Sequence, residues 1–239
     1  MSSTKKASMV ADLACTAGGF GGAAKNYNKL PITDCPPMED PLKLRTPPSF
    51  SSTTCKASAL QLKDEGVMQR LSPGVYCDGL TIKSGAQVTL DPGIYVIKDG
   101  PLTLSANATL FGRGVGLYFT GTGSTFLLES GSTVDLEAAK SGSMAGLIFF
   151  QDRSSASADF VLRSKNASVL LGTIYLPNGN FIVDTNSKVA DASAYTAIVA
   201  RSIQLMRKPN VVLNTNYEST DVPVPAGLGP SSGELRLLH

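Results

Sequence analysis

Short apolar runs cut by turn residues follow one another along most of this chain, and two neighbouring stretches repeat almost word for word. Leu71-Ser-Pro-Gly-Val-Tyr-Cys-Asp-Gly-Leu-Thr-Ile82, continuing to Leu90, is followed by Leu90-Asp-Pro-Gly-Ile-Tyr-Val-Ile-Lys-Asp-Gly-Pro-Leu102, continuing to Leu110. The period is about 20 residues, which is the range of solenoid repeats. A unit of that length cannot bury its own apolar face and has to stack on its neighbours. Within each copy, apolar residues alternate with polar ones over three short segments separated by Gly, Pro, Asn or Asp, the mark of strands and tight turns.

The period continues beyond the clear repeat. One strand position recurs at Val75-Tyr76, Ile94–Ile97, Gly116–Thr120, Gly146–Phe150, Thr173–Leu176 and Thr196–Val199. A second follows it at Leu80–Ile82, Leu102–Leu104, Thr125–Leu128, Phe160–Leu162, Phe181–Val183 and Ile203–Leu205. The pattern predicts an all-β fold: a right-handed parallel β-helix of about six three-strand coils over residues 56–213. In such a coil alternate residues point inward and stack on their equivalents about 4.8 Å away along the axis. Leu80, Ile82, Leu102 and Leu104 are then interior rungs. Thr81, Thr89, Thr103 and Thr109 point outward. Threonine suits an exposed strand face for its β-branching alone; a flat threonine ladder is also a surface that could bind ice or polysaccharide.

Residues 1–55 read differently. Six prolines (Pro31, Pro36, Pro37, Pro41, Pro47 and Pro48) and a glycine cluster at 18–22 exclude helix and central strand. This segment is expected to be an irregular, disulfide-pinned cap over the first coils, since a solenoid end exposes strand edges that need cover. Residues 214–239 form an extended tail in which Glu234–Leu238 could close back as a strand.

The four cysteines, Cys15, Cys35, Cys55 and Cys77, fall in the first third, each about 20 residues from the next. The spacing fits no zinc site, and an even set in a loop-rich region points to two disulfides and an exported protein. Three connectivities are open, with Cys15–Cys35 and Cys55–Cys77 preferred because each closes a local loop. Formal net charge is only +2 and basic residues form no block, so nucleic acid is not an expected partner. No apolar run is long enough to span a membrane, and no cleavable leader is evident. The chain therefore reads as a piece lying downstream of whatever anchored its parent.

Candidate chemistry is sparse. The single histidine is His239, which removes His-based triads and zinc sites. Gly112-Arg-Gly114-Val-Gly116 has no helix behind it and reads as a turn, not a phosphate loop. Asp78 and Asp99 align in the repeat and would sit about 5 Å apart on adjacent coils, the separation of a retaining glycosidase pair. Each also stands in an Asp-Gly dipeptide, where Asp is a turn former, and that reading is preferred. Asp191-Ala-Ser193-Ala-Tyr195 matches the start of an Asp-x-Ser-x-Ser metal loop, but with Tyr at the fifth position and no α/β pattern around it the match reads as coincidence. Asn107-Ala-Thr109 and Asn166-Ala-Ser168 have the glycosylation pattern. No metal and no cofactor is expected.

The tandem repeat, together with Ala145–Arg153, Leu171–Pro177, Tyr195–Arg201 and the upstream Thr33-Asp-Cys-Pro-Pro37 and Asp40-Pro-Leu42, resembles the C-terminal region of TadG-like Tad/Flp pilus-assembly proteins. That resemblance implies an extracytoplasmic body at the periplasmic face or cell surface, a membrane anchor upstream in the parent chain, and no catalytic residues. It implies pilus or envelope proteins as partners; the charged, irregular outer positions, such as Glu129 and Asp135, add surface polysaccharide as a second class. A fainter likeness is to the ice-binding β-solenoid family, which shares Pro-Gly-Val-Tyr and repeated Leu-Thr-Leu segments.

Overall fold

The computed structural model describes residues 2–3, 16, 19–36, 39–63 and 66–228. Its strands are β1 (Ser2–Ser3), β2 (Ala57–Leu62), β3 (Met68–Leu71), β4 (Gly74–Ile82), β5 (Gln87–Leu90), β6 (Gly93–Lys98), β7 (Leu102–Leu104) and β8 (Thr109–Thr120). They continue with β9 (Phe126–Leu128), β10 (Thr133–Ala138), β11 (Leu147–Gln151), β12 (Ala158–Leu162), β13 (Asn166–Thr185), β14 (Lys188–Val189), β15 (Thr196–Arg207) and β16 (Asn210–Val211). All these strands pair in parallel, each with its equivalent one turn away, and the only helical pieces among the described residues are two short 3₁₀ turns. The chain is a parallel β-helix.

Three faces run the length of the coil. Face A stacks β3, β5, the start of β8, β10, the start of β13, β14 and β16. Face B stacks the start of β2, the start of β4, β6, the end of β8, β11, the middle of β13 and the start of β15. Face C stacks the remaining parts of β2, β4, β13 and β15 with β7, β9 and β12. Each face therefore has seven rungs, one more than the sequence suggests. The additional turn is the first, residues 57–71, whose strands lack the Pro-Gly-aromatic signature and, Leu71 apart, are half-buried or exposed. On face C, β1 adds two residues beside Gln204 and Leu205 of the last coil.

Alternation sets the interior. On β7 the burial order is buried, half-buried, buried, and β9 repeats it. The wide coils in the middle are filled by phenylalanines: Phe126 lies 4.8 Å from Phe149, 5.2 Å from Phe160 and 5.9 Å from Phe119, measured between ring centres. The narrower coils before them hold Tyr76 and Tyr95, stacked 6.0 Å apart, with hydroxyls returned to the backbone. Tyr76 donates to the Ser72 carbonyl at 2.6 Å, and Tyr95 to those of Leu71 at 2.6 Å and Asp91 at 2.8 Å. This is the physical content of the Pro-Gly-Val-Tyr motif. The turn supplies the carbonyl and the ring fills the coil, so a buried hydroxyl is not left without a partner.

The corner between faces B and C carries the Asp-Gly dipeptides. Asp78 and Asp99 have φ of 58° and 54°, a left-handed conformation that Asp tolerates better than most residues. Gly100 follows because a Cβ there would sit 2.4 Å from the Gly79 amide of the coil below. Backbone meets backbone at this corner.

Face B is apolar on both sides. Its outward column reads Val75, Val96, Tyr118, Phe150, Tyr175 and Val199, each paired with the next. A second buried cluster forms there, with Leu42 and Phe50 from the N-terminal segment and Leu228 from the tail packed against it. Residues 39–55 thus form a strap along the outside of face B, reaching the sixth coil, rather than a cover confined to the first. The tail returns from the last coil: Thr215 bridges Tyr195, Val222 is buried against the main core, and Pro223 accepts the Tyr195 hydroxyl at 2.7 Å. The expected closing strand at Glu234–Leu238 lies outside the described residues.

Candidate functional site

Neither of the arrangements suggested by the sequence is assembled as one site. Thr81 and Thr103 are direct neighbours on face C. Thr89 and Thr109 are on face A and stand in different columns, because Gln87 pairs Thr109 while Thr89 pairs Phe111. Followed along the axis, the face C column reads Gln61, Thr81, Thr103, Leu127, Val161, Ile182, Gln204. The threonine ladder is two rungs long there and then turns apolar. On face A the Thr109 column reads Met68, Gln87, Thr109, Thr133, Asn166, and the Thr89 column reads Arg70, Thr89, Phe111, Asp135. Polar groups recur, but not one residue type.

Asp78 and Asp99 do occupy equivalent corners, and their carboxylates are engaged from opposite directions. Ser58 of the first coil donates to Asp78. The Thr122 amide of the fourth coil donates to Asp99 at 2.9 Å, and Lys98 lies 3.2 Å away. The Thr122 hydrogen bond and then Lys98 hold Asp99 below the usual carboxylate range. A general acid for glycoside cleavage needs the opposite shift. The corner is built as a turn.

Cys55 and Cys77 are joined, with their Cα atoms 5.8 Å apart, so the strap is tied to the second coil where it ends. Cys35 is also disulfide-bonded; Cys15 lies outside the described residues. Further along, the strap is held by a clasp whose centre is Arg153. Its Nε donates to the Tyr175 hydroxyl at 2.7 Å, Nη1 to the Arg45 carbonyl at 3.0 Å, and Nη2 to the Leu42 carbonyl. The Tyr175 hydroxyl donates in turn to Asp40 at 2.5 Å. Burial, and then Asp40, push the Tyr175 hydroxyl well above its usual range, so it stays a donor. The guanidinium also lies over the Phe150 and Tyr175 rings, 5.3 and 5.2 Å from their centres.

Arg45 answers from the other side. It donates to the carbonyls of Ser143 at 3.1 Å, Gly142 at 3.3 Å and Ala145 at 2.9 Å, fixing the loop that precedes β11. Strap and coil therefore exchange arginines. The Ser193 and Tyr195 positions of the metal-loop fragment are likewise structural: Ser193 Oγ accepts the Leu170 amide at 2.8 Å, and Tyr195 anchors the tail. Among the described residues no three His, Cys, Asp or Glu side chains converge. An open cleft of about 510 Å³ lies between strap residues 39–45 and Pro225-Ala226, with Leu44 almost fully exposed beside it.

The sequence reading missed the side chains that give the outer surface its character. Leu127, Val161 and Ile182 were absorbed into apolar runs, yet each is the middle residue of its run, where Thr81 and Thr103 stand in the earlier coils. The signal was there in the alternation. Arg153 had none, because its partners on the strap are more than 100 residues away in the chain. No protein-family model, curated protein or solved structure matches this chain.

Proposed function

We propose that this chain is a non-catalytic, extracytoplasmic binding domain of a bacterial surface or pilus-assembly protein of the Tad/Flp type. The observation that carries the reading is the clasped solenoid itself: a seven-rung prism whose face B is covered by residues 39–55 and Leu228, leaving faces A and C as long ordered surfaces. The disulfide between Cys55 and Cys77 is in keeping with an oxidising compartment. The carboxylates on the outer columns are occupied in turns and ion pairs, as Asp99 with Thr122 and Asp135 with Arg113 at 2.6 Å. The Tad/Flp assignment rests on the sequence resemblance, and pilus or envelope proteins are the partners it implies.

The ice-binding alternative needs uniform threonine ranks, and the columns here change to Leu127 on face C and Phe111 on face A. The polysaccharide-cleaving alternative needs a free carboxylate pair, and Asp78 and Asp99 are bonded to different coils. The test is genetic. Deleting residues 56–213 in frame from the parent gene of a Tad-piliated bacterium should abolish surface pili or surface attachment, while Asp78→Asn/Asp99→Asn should leave both intact. Wild-type piliation in the deletion strain, or release of sugar products that this double substitution stops, would overturn the proposal.

A further inference from the structure

A solvated β-face is expected to present polar residues outward. Face C does so in its first coils and stops doing so in the fourth. Leu127, Val161 and Ile182 stack in consecutive rungs and are half-buried among the described residues. On one side of this apolar row runs a polar one: Asn180 donates to Asp159 at 2.9 Å and accepts from Ser202 at 2.8 Å. On the other side runs a ladder of alternating charge. Glu129 lies 3.4 Å from Arg163, Arg163 lies 3.3 Å from Asp184, and Asp184 lies 2.8 Å from Arg207. In the last rung the equivalent of Asp184 is Met206, and the Arg207 guanidinium reaches Asp184 from the next position, so the side-chain charges run acid, base, acid, base along the axis.

That order has a symmetry property. A two-fold axis running along the strands, between the fifth and sixth rungs, reverses the rung order of a second copy laid face to face. Reversal sets Arg163 opposite Asp184 of the second copy, and Glu129 opposite Met206, with the Arg207 guanidinium beside it. Arg163 and Asp184 meet their opposites in register and in both directions. The same operation sets Val161 against Ile182 and Leu127 against Gln204, and the Asp159–Asn180 rungs against each other as acceptor and amide. A two-fold axis along the solenoid would instead place the charged row over the polar one. Sheets packed with strands aligned, about 10 Å apart, are an ordinary arrangement. We infer that face C of coils four to seven is an isologous docking surface for a second copy of this chain, in the antiparallel register just described.

The patch is small. Four rungs at about 4.8 Å by three outward positions give about 300 Å² per copy, well below the roughly 800 Å² of a standard interface. The dimer is therefore weak and reversible in solution, and is favoured where copies are tethered at high local concentration on one surface. This inference does not depend on the Tad/Flp assignment, since it concerns the chain's affinity for itself.

The experiment is sedimentation equilibrium of the purified chain from micromolar to millimolar concentration, paired with directed cross-linking. The weight-average mass should rise towards that of a dimer with concentration. Val161→Lys, an outward substitution, should keep the monomer's circular dichroism and melting curve and shift the association at least tenfold to higher concentration. Mixing a Val161→Cys chain with an Ile182→Cys chain under mild oxidation should give a mixed disulfide dimer faster than either chain gives a homodimer. A chain that stays monomeric to millimolar concentration overturns the proposal. So does a Val161→Lys chain that associates like wild type, or cross-linking that favours like with like.

Discussion

Replacing Arg153 with alanine should open the strap without opening the solenoid. The side chain makes three hydrogen bonds through a charged donor, to the Tyr175 hydroxyl and to the Arg45 and Leu42 carbonyls, and it covers two aromatic rings. Hydrogen bonds to charged groups contribute about 1.5–3 kcal/mol each. With the side chain 27% exposed, solvent screening brings these nearer to about 1 kcal/mol apiece. The ring contacts add about 0.5–1 kcal/mol. The sum is about 3–4 kcal/mol, and it is concentrated on one connection. At about 1.4 kcal/mol per decade this corresponds to a hundred- to a thousandfold increase in strap opening. Amide hydrogen exchange reads it directly. The Leu42 and Lys43 amides donate to Asp40 and the Arg45 amide donates to Leu42, so all three should lose protection by about that factor. Amides in the interior of β11 and β13 should stay protected. Unchanged exchange at 42, 43 and 45 would refute the clasp. Equal loss throughout the solenoid would show that Arg153 supports the whole fold instead.

Three other outcomes follow from the same structure. Phe126→Ala removes a ring buried among Phe119, Phe149 and Phe160 and should lower unfolding free energy by about 3–5 kcal/mol, measured by denaturant titration; a loss below about 1 kcal/mol would contradict this packing. Cys55→Ser/Cys77→Ser should cost about 3 kcal/mol in the chain-entropy picture and speed proteolysis of the strap before that of the coils, whereas an unchanged melting temperature would count against it. Burial pushes the hydroxyls of Tyr76, Tyr95, Tyr118, Tyr175 and Tyr195 above their ordinary 10.0. Because the neutral form is the one favoured in the fold, the associated stability is whole below pH 10 and is lost as pH rises beyond it. Tyrosinate absorbance should therefore lag that of free tyrosine and then appear together with unfolding, and five tyrosines titrating normally in the folded state would refute it.

Much of the architecture can be read in the chain because a solenoid writes its contacts locally. Leu80-Thr-Ile82 and Leu102-Thr-Leu104 are neighbours in space since they are equivalent in sequence, so the repeat predicts both the parallel pairing and the inward side. Register is subtler. Aligning the Pro-Gly-Val-Tyr motifs sets Tyr76 over Tyr95, whereas the strands pair Tyr76 with Ile97 and Tyr95 with Leu117. The third coil has two more residues between its tyrosine and its Asp-Gly turn, and the corner at Asp78 and Asp99 fixes the stacking. The first turn is not legible because residues 57–71 lack the aromatic and turn signals of the later coils. The strap is legible only in part: proline content rules out regular pairing and the cysteine spacing suggests the Cys55–Cys77 tie, but nothing local tells Leu42 and Phe50 that they run along face B beside the cluster of Phe150 and Tyr118. The apolar half of face C was legible only with the inward rung known, since Leu127 and Leu128 are alike in composition and opposite in direction.

The role proposed for the chain is that of a binding domain of a surface appendage. Its most direct test is co-sedimentation of the purified, oxidised chain with purified Tad/Flp pilus filaments, across micromolar concentrations and without any added substrate. The account predicts saturable binding that survives Asp78→Asn/Asp99→Asn. Recovery of the chain entirely in the supernatant at every concentration would contradict it.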